Sequence, residues 1–167
     1  MNQFCQIVND DDELIGHKLR QEIDFKKDYY RIGCLWLTNS QDEVLLAQRL
    51  LTKDKDPGKW GPSAAGTLEK GETYESNIYK EALEELGLTG VNFTAVVKLK
   101  LEEPRKSFLQ LYSGVCDWPA AKFVPQPEEV EQVAWVSLEE LKKDIHENPD
   151  KYVPSMQILF VAATAKH

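Results

Sequence analysis

The sequence predicts a layered domain of the α/β (α+β) class, and three observations carry that expectation. Strand-like and helix-like segments succeed one another without strict alternation, which suits a mixed sheet packed against helices. Hydrophobic residues make up 42% and charged residues 29% of 167 residues, the proportions of an ordinary globular chain. Neither a repeat nor a linker interrupts the sequence, so a single domain over residues 1–167 is expected, long enough to bury a core without disulfides.

Taken in order, "FCQIV" and "ELIGHKL" flank the turn "NDDD" and predict an N-terminal hairpin, part of an extension over residues 1–29. "YRIGCLWLT" reads as a strand, "NSQD" as a turn and "EVLLAQR" as its partner strand. Residues 49–62 form a basic loop broken by Pro57, Gly58 and Gly61. A strand ending in "SAAG" leads through a tight "EKG" loop to a helix from about Thr73 to Leu86. Thr73 can accept a hydrogen bond at its start, and Gly87 can take the left-handed conformation that ends it. "FTAVVKLKL" and "SFLQLYSGVC" are strands joined by "EEPRK", and "PAAKFVPQPEE" is a proline-rich surface loop. "VEQVAWVS" predicts a strand, "SLEELKKDIHE" a capped helix, and "VPSMQILFVAATA" a helix packed on the domain.

The net charge of −8 argues against gripping a nucleic-acid polymer, which needs a basic surface. Small phosphate ligands stay open, because a metal ion inverts the local charge. No run approaches the roughly 20 apolar residues of a membrane span, and the start lacks a basic segment followed by an apolar one, so the cytoplasm is expected. Cys5, Cys34 and Cys116 have no paired spacing, and Cys34 and Cys116 sit among apolar neighbours as expected of reduced core thiols. His17, His146 and His167 are equally scattered, which leaves little for a zinc site.

The acidic helix is the informative segment. Ile78, Ala82 and Leu86 recur every four residues, with Tyr79 and Leu83 beside them, and form a stripe for the core. Glu81, Glu84 and Glu85 stand at i, i+3 and i+4, so their carboxylates share the other side. Lys80 can reach Glu84 but cannot neutralise all three. Such a cluster is a partial oxygen shell for Mg²⁺ or Mn²⁺, completed by backbone carbonyls near Gly66.

Gly66, Glu72, Glu81, Glu84, Glu85, Gly87 and Leu88 match the pattern G-x5-E-x7-R-E-U-x-E-E-x-G-U, where U is a bulky apolar residue. Residues 66–88 thus resemble the Nudix box, with Lys80 in place of arginine and Ala82 in place of a bulkier residue. The resemblance implies the Nudix fold, a mixed β-sheet sandwiched between helices. It also implies Mg²⁺- or Mn²⁺-dependent hydrolysis of a diphosphate linkage in a nucleoside diphosphate derivative or related small molecule. Gly66, Glu81, Glu84 and Glu85 would hold metal, and Glu72 would join the three glutamates in the catalytic set. Glu81, Glu128 and Glu129 are candidates for a general base.

"LLAQRLLTKDKDPGKWGPSAAGTLEKGE", the tail "NPDKYVPSMQILF" and "DDELIGHKLRQEI" are similar to the subgroup related to isopentenyl diphosphate isomerase. That similarity makes Arg49 and Lys53 phosphate contacts, with Arg20, Lys55 and Lys59 as further candidates. The isomerase cysteine-glycine-histidine stretch falls on Ala65, Gly66 and Thr67, its upstream histidine near Tyr30, and its further metal glutamates near Tyr112 and Gly114. Without those groups the intact glutamate helix favours hydrolysis. An isomerase would need Cys34 or Cys116 exposed and reactive, and a non-catalytic nucleotide-binding module is the third reading. Trp60, Phe108 and Trp118 are read as packing residues rather than base-stacking platforms. The expected partner is a small-molecule diphosphate, with the chain a monomer or a homodimer joined through its N-terminal hairpin.

Overall fold

The computed structural model describes residues 3–165. Among the described residues, a nine-stranded mixed sheet lies between one helix on one face and two on the other. The first hairpin pairs β1 (Phe4–Val8) with β2 (Leu14–Leu19), and a 3₁₀ turn at Arg20–Glu22 leads away from it.

The long strand β3 (Tyr29–Thr38) organises the sheet. Along one edge it runs parallel to β8 (Ser107–Val115), from Tyr30↔Ser107 to Thr38↔Val115. Its other edge is shared in turn by β1, by β6 (Ala64–Thr67) and by β4 (Glu43–Arg49). The expected β3–β4 hairpin is therefore corrected: the two strands pair only at Thr38↔Val44. Beyond that point they diverge because β6 inserts against residues 32–35. The buried Ser63 spans the gap, its Oγ donating to Leu45 O at 2.7 Å and accepting from Leu37 N at 2.9 Å. β4 instead pairs with β9 (Val130–Ser137) and with the short β5 (Trp60–Gly61). β7 (Thr94–Leu101) closes the far edge against β8.

Alternation along β3 divides its side chains between two cores. Leu35 and Leu37 meet Ile78, Ala82 and Leu86 of α1 (Tyr74–Leu86). Cys34 and Trp36 meet Leu141 and Ile145 of α2 (Leu138–Glu147) and Met156 and Leu159 of α3 (Met156–Thr164). Burying each such leucine or isoleucine stabilises the fold by about 2 kcal/mol.

Thr73 caps α1 by accepting from Ser76 N, and Gly87 ends the helix at φ 63°. Two expected members of the α1 stripe do not face the core. Tyr79 is 38% exposed and stacks on Phe93, and Leu83 is 53% exposed. The 100° step per residue explains this: they flank a stripe only one residue wide, Ile78–Ala82–Leu86. Cys34 and Cys116 are buried and free, as the sequence predicts, and Cys5 is buried and free as well. No described helix is long and apolar enough to cross a membrane.

Candidate functional site

The loop between β6 and α1 is held from the N-terminal hairpin. Gln6 N donates to Leu68 O and Lys70 N to Phe4 O, so β1 runs along the loop like an added strand. The buried Gln6 amide donates to Glu69 O at 2.8 Å and to Glu72 O at 2.7 Å. Arg31 donates to Gln6 Oε1 from the other side and is paired with Asp12, at the hairpin turn. Beneath the loop, Asn77 Nδ2 reaches Thr67 O and Glu72 Oε2, while its Oδ1 is buried without a partner among the described residues.

Lys80 takes a different partner from the one its spacing predicts. Its ammonium lies 2.5 Å from Glu72, 3.3 Å from Glu69 and 3.7 Å from Glu81, and among the described residues it forms no ion pair with Glu84. It joins the loop to the helix as a point charge, where an arginine would offer a fork. Glu72 also accepts from Glu69 N and Asn77. Burial works to raise the Glu72 pKa, but Lys80, the Glu69 amide and Asn77 outweigh it and hold it below the usual value. Glu72 therefore fastens the loop.

The helix glutamates divide. Glu81 and Glu85 turn toward β6, whereas Glu84 is exposed. A Cβ at Gly66 would lie 2.2 Å from the Glu81 carboxyl carbon, so only glycine lets this carboxylate lie flat against the strand. Glu85 accepts from Ala65 N at 3.2 Å. Burial pushes the Glu81 carboxyl up to about 7; Lys80 opposes the shift, and Glu84, Glu72 and Glu69 add to it. Burial, with repulsion from Glu81 and Glu129, pushes Glu85 up to about 8, against the Ala65 amide and Arg49. Two adjoining carboxyls held this far above their ordinary value lack sufficient positive charge. Among the described residues, no three His, Cys, Asp or Glu side chains form a ready-made metal cage.

Glu85 opens onto a cleft of about 240 Å³. Ile32, Leu101, Leu109, Val153 and Leu159 contribute apolar surface, and Arg20, Arg49, Lys55 and Arg105 contribute positive charge. Of the predicted phosphate contacts, Arg20 and Arg49 line this cleft, as does Lys55. Lys53 and Lys59 do not line it; Lys53 pairs at 2.7 Å with Glu129, which does. Glu128 is exposed and outside the lining. Arg49 Nε donates to Lys55 O at 2.9 Å, which folds the basic loop back over β4. The opposite wall is joined to α1: Val124 N donates to Leu86 O and Gln126 N to Glu85 O.

Sequence reasoning missed Arg105, Tyr30 and Gln6. Arg105 lies in the β7–β8 turn and reaches the cleft because β8 runs parallel to β3, a long-range pairing without a local signal. Gln6 is marked only as a polar residue within an apolar strand. The isomerase positions carry no isomerase groups: Tyr112 is buried on the α1 face and Gly114 lies against the Phe93 ring. Burial pushes the Cys34 thiol far up, so it is no proton donor of ordinary reactivity. Trp60 and Trp118 are packed against the two cores, and Phe108 is buried beside Tyr29.

Comparison with known proteins agrees with this geometry. The NUDIX domain family matches residues 29–156. A prenyl-diphosphate phosphatase of Methanosarcina mazei is 31% identical over 152 residues, which span 90% of this chain and 88% of the relative. An isopentenyl-diphosphate Delta-isomerase of Serratia proteamaculans is 24% identical over 157 residues, covering 91% of this chain and 86% of that one. The crystal structure of DR0079 from Deinococcus radiodurans has the same fold, with a TM-score of 0.86 at 22% identity, covering 98% of this chain and 100% of that one. The chain belongs to the Nudix hydrolase family.

Proposed function

We propose that the protein hydrolyses a diphosphate linkage in a small molecule, with a divalent cation held by Glu81 and Glu85 beside the Gly66 carbonyl. The observation that carries this reading is one cleft in which a buried carboxylate faces unpaired cations across an apolar surface. Mg²⁺ is commonly held by one or two carboxylates together with substrate phosphates, a donor set to which Glu81 and Glu85 belong. The raised carboxyls of Glu81 and Glu85, and the glycine cradle that a Cβ would fill, fit such an ion. When bound, a cation of this kind neutralises phosphate charge and acidifies a bound water.

The chain's own residues supply the rest. Arg49 and Arg20 bind phosphate oxygens and orient the linkage. Glu129, on the cleft wall joined to the Glu85 helix, accepts the proton of the attacking water, and Lys53 positions its carboxylate. Glu72 and Lys80 hold the loop, and Glu84 adds negative potential from outside. The apolar surface and the phosphatase relative favour a substrate with an apolar moiety, such as a prenyl diphosphate. We infer a water-exposed domain with no polymer partner, working as monomer or dimer.

The test is a phosphate-release panel of prenyl diphosphates, nucleoside di- and triphosphates, nucleotide sugars and dinucleotides, with Mg²⁺, Mn²⁺ or chelator. Release that needs metal and is lost in Glu85→Gln is expected. Release that persists in chelator, or in that variant, would overturn the reading.

A further inference from the structure

The chain carries a net charge of −8 and has four arginines, Arg20, Arg31, Arg49 and Arg105. Arg31 is paired with Asp12. The other three line the cleft with Lys55, and among the described residues none of these four cations forms an ion pair. Most other cations of this acidic chain do have a carboxylate, Lys80 having three.

Arg105, Lys55 and Arg20 come from three separate segments that meet around one aromatic platform. The Arg105 guanidinium lies 4.2 Å from the Phe25 ring centroid and the Lys55 ammonium 5.9 Å from it. Phe25 packs edge-on against Tyr30 at 5.3 Å. Lys106 N donates to Phe25 O, fixing the β7–β8 turn to this segment. Arg20 donates to Thr67 Oγ1 at 3.3 Å from the far side. Burial, and then Arg105, lower the Lys55 pKa to about 8; Arg20 and Arg49 add to this and Asp56 opposes it. Glu103 also lines the cleft but is paired with Lys26. The cluster is thus an excess of positive charge assembled at a cost that an anion would remove.

Its position distinguishes it from the carboxylate end. Tyr30 and Cys34 lie four residues apart on β3, about 13 Å at strand rise. Tyr30 is beside Phe25, and Cys34 pairs with Ala65, whose amide holds Glu85. Arg49 acts on both Lys55 and Glu85 and so spans the two ends.

We propose that Arg105, Lys55 and Arg20 anchor the terminal phosphoryl group of the substrate, bind it without a divalent cation, and select molecules ending in a phosphate over those capped at both ends. A terminal phosphoryl group carries close to two negative charges at neutral pH, whereas each phosphorus of a doubly capped diphosphate carries one. Three converging cations complement the former. Guanidinium forks also match two phosphate oxygens at once. The substrate class rests on the hydrolase reading; the anion binding does not.

The experiment is calorimetric titration of the full chain with inorganic diphosphate in chelator. Binding is expected, at least about tenfold weaker in Arg105→Gln and in Lys55→Met, and retained in Glu85→Gln. Between about pH 7.5 and 9 the wild type should lose affinity relative to Lys55→Met, because only the wild type gives up the Lys55 proton. Arg105→Lys, which keeps the charge over Phe25 but loses the fork, guards against misfolding of the glutamine variant and should bind more tightly than Arg105→Gln and more weakly than wild type. In the hydrolysis panel, Arg105→Gln should raise KM at least about tenfold for terminal diphosphates and by a smaller factor for a dinucleotide. No binding in chelator, or unchanged binding in Lys55→Met and Arg105→Gln, overturns the anchor even if hydrolysis is intact. Binding with no hydrolysis of any compound upholds the anchor and removes the hydrolase reading alone.

Discussion

Two carboxylate clusters lie on either side of the β6–α1 loop, and their charge states differ. At the hairpin turn, Asp12 accepts from Arg31 at 2.7 Å, Lys98 at 2.6 Å and the Tyr74 hydroxyl at 3.0 Å. Burial alone would raise its pKa, but these partners together hold it below the ordinary value. At the helix, Glu81 and Glu85 are pushed up to about 7 and about 8, with Lys80 and Arg49 offsetting only part of the burial. Both clusters are largely buried, yet only the first is electrostatically complete. A complete cluster fixes structure; an incomplete one is where a charged ligand gains most.

The sharpest way to break this contrast is Glu85→Gln. Loss of about a thousandfold in kcat is expected, some 4 kcal/mol of charge stabilisation, with folding intact by circular dichroism. The same substitution tests stability. Glu85 and Glu81 have pKa values in the folded chain above the ordinary 4.5. The native state therefore holds their protons longer than the unfolded chain does. Their contribution is complete below about pH 4.5 and is lost as pH rises through about 7 for Glu81 and about 8 for Glu85. In chelator the melting temperature should fall across that window, fall less in Glu85→Gln, and recover with Mg²⁺ at the upper end. A flat profile would mean that the pair is solvated and the contrast false.

The complete cluster should respond in the opposite sense. Asp12 occupies φ 61°, which asparagine tolerates, so Asp12→Asn removes charge without adding backbone strain. A loss of about 2–3 kcal/mol is expected by denaturant titration, because Arg31 and Lys98 lose their counter-ion. Acid should mimic it: a depressed carboxyl contributes stability above its unfolded pKa that disappears as pH falls through the folded one. Lys80→Met, which joins loop and helix, should cost about twentyfold in kcat, under 2 kcal/mol, and Lys80→Arg should restore it. Smallest is Thr73→Ala, about 1 kcal/mol of stability from the lost cap with kcat unchanged.

How much of this was legible varies with the range of the interaction. The acidic helix, its Thr73 cap and its Gly87 stop were readable because each rests on neighbours in sequence. Gly66 and Glu81 were readable as identities at fixed spacing, although only the structure shows why a side chain at 66 would displace the carboxylate. The exposure of Leu83 and Tyr79 was not readable, since periodicity gives a direction but not the width of the face it meets. Lys80 pairs with Glu72 rather than Glu84 for a related reason: helix spacing favours Glu84, but the loop brings Glu72 closer. β6, inserted between β3 and β4, and Arg105, brought in by the parallel strand β8, depend on pairings far apart in sequence.

The hydrogen bonds from Val124 and Gln126 to the last carbonyls of α1 constrain motion as well as satisfy backbone groups. They join the Glu129 wall to the Glu85 helix, so the two segments move together. Widening of the cleft then falls to the other wall, residues 50–58, which is held to β4 by Gln48 and Arg49 and to the first wall by the Lys53–Glu129 ion pair. Exchange of substrate and product should therefore quicken with salt, which weakens that ion pair.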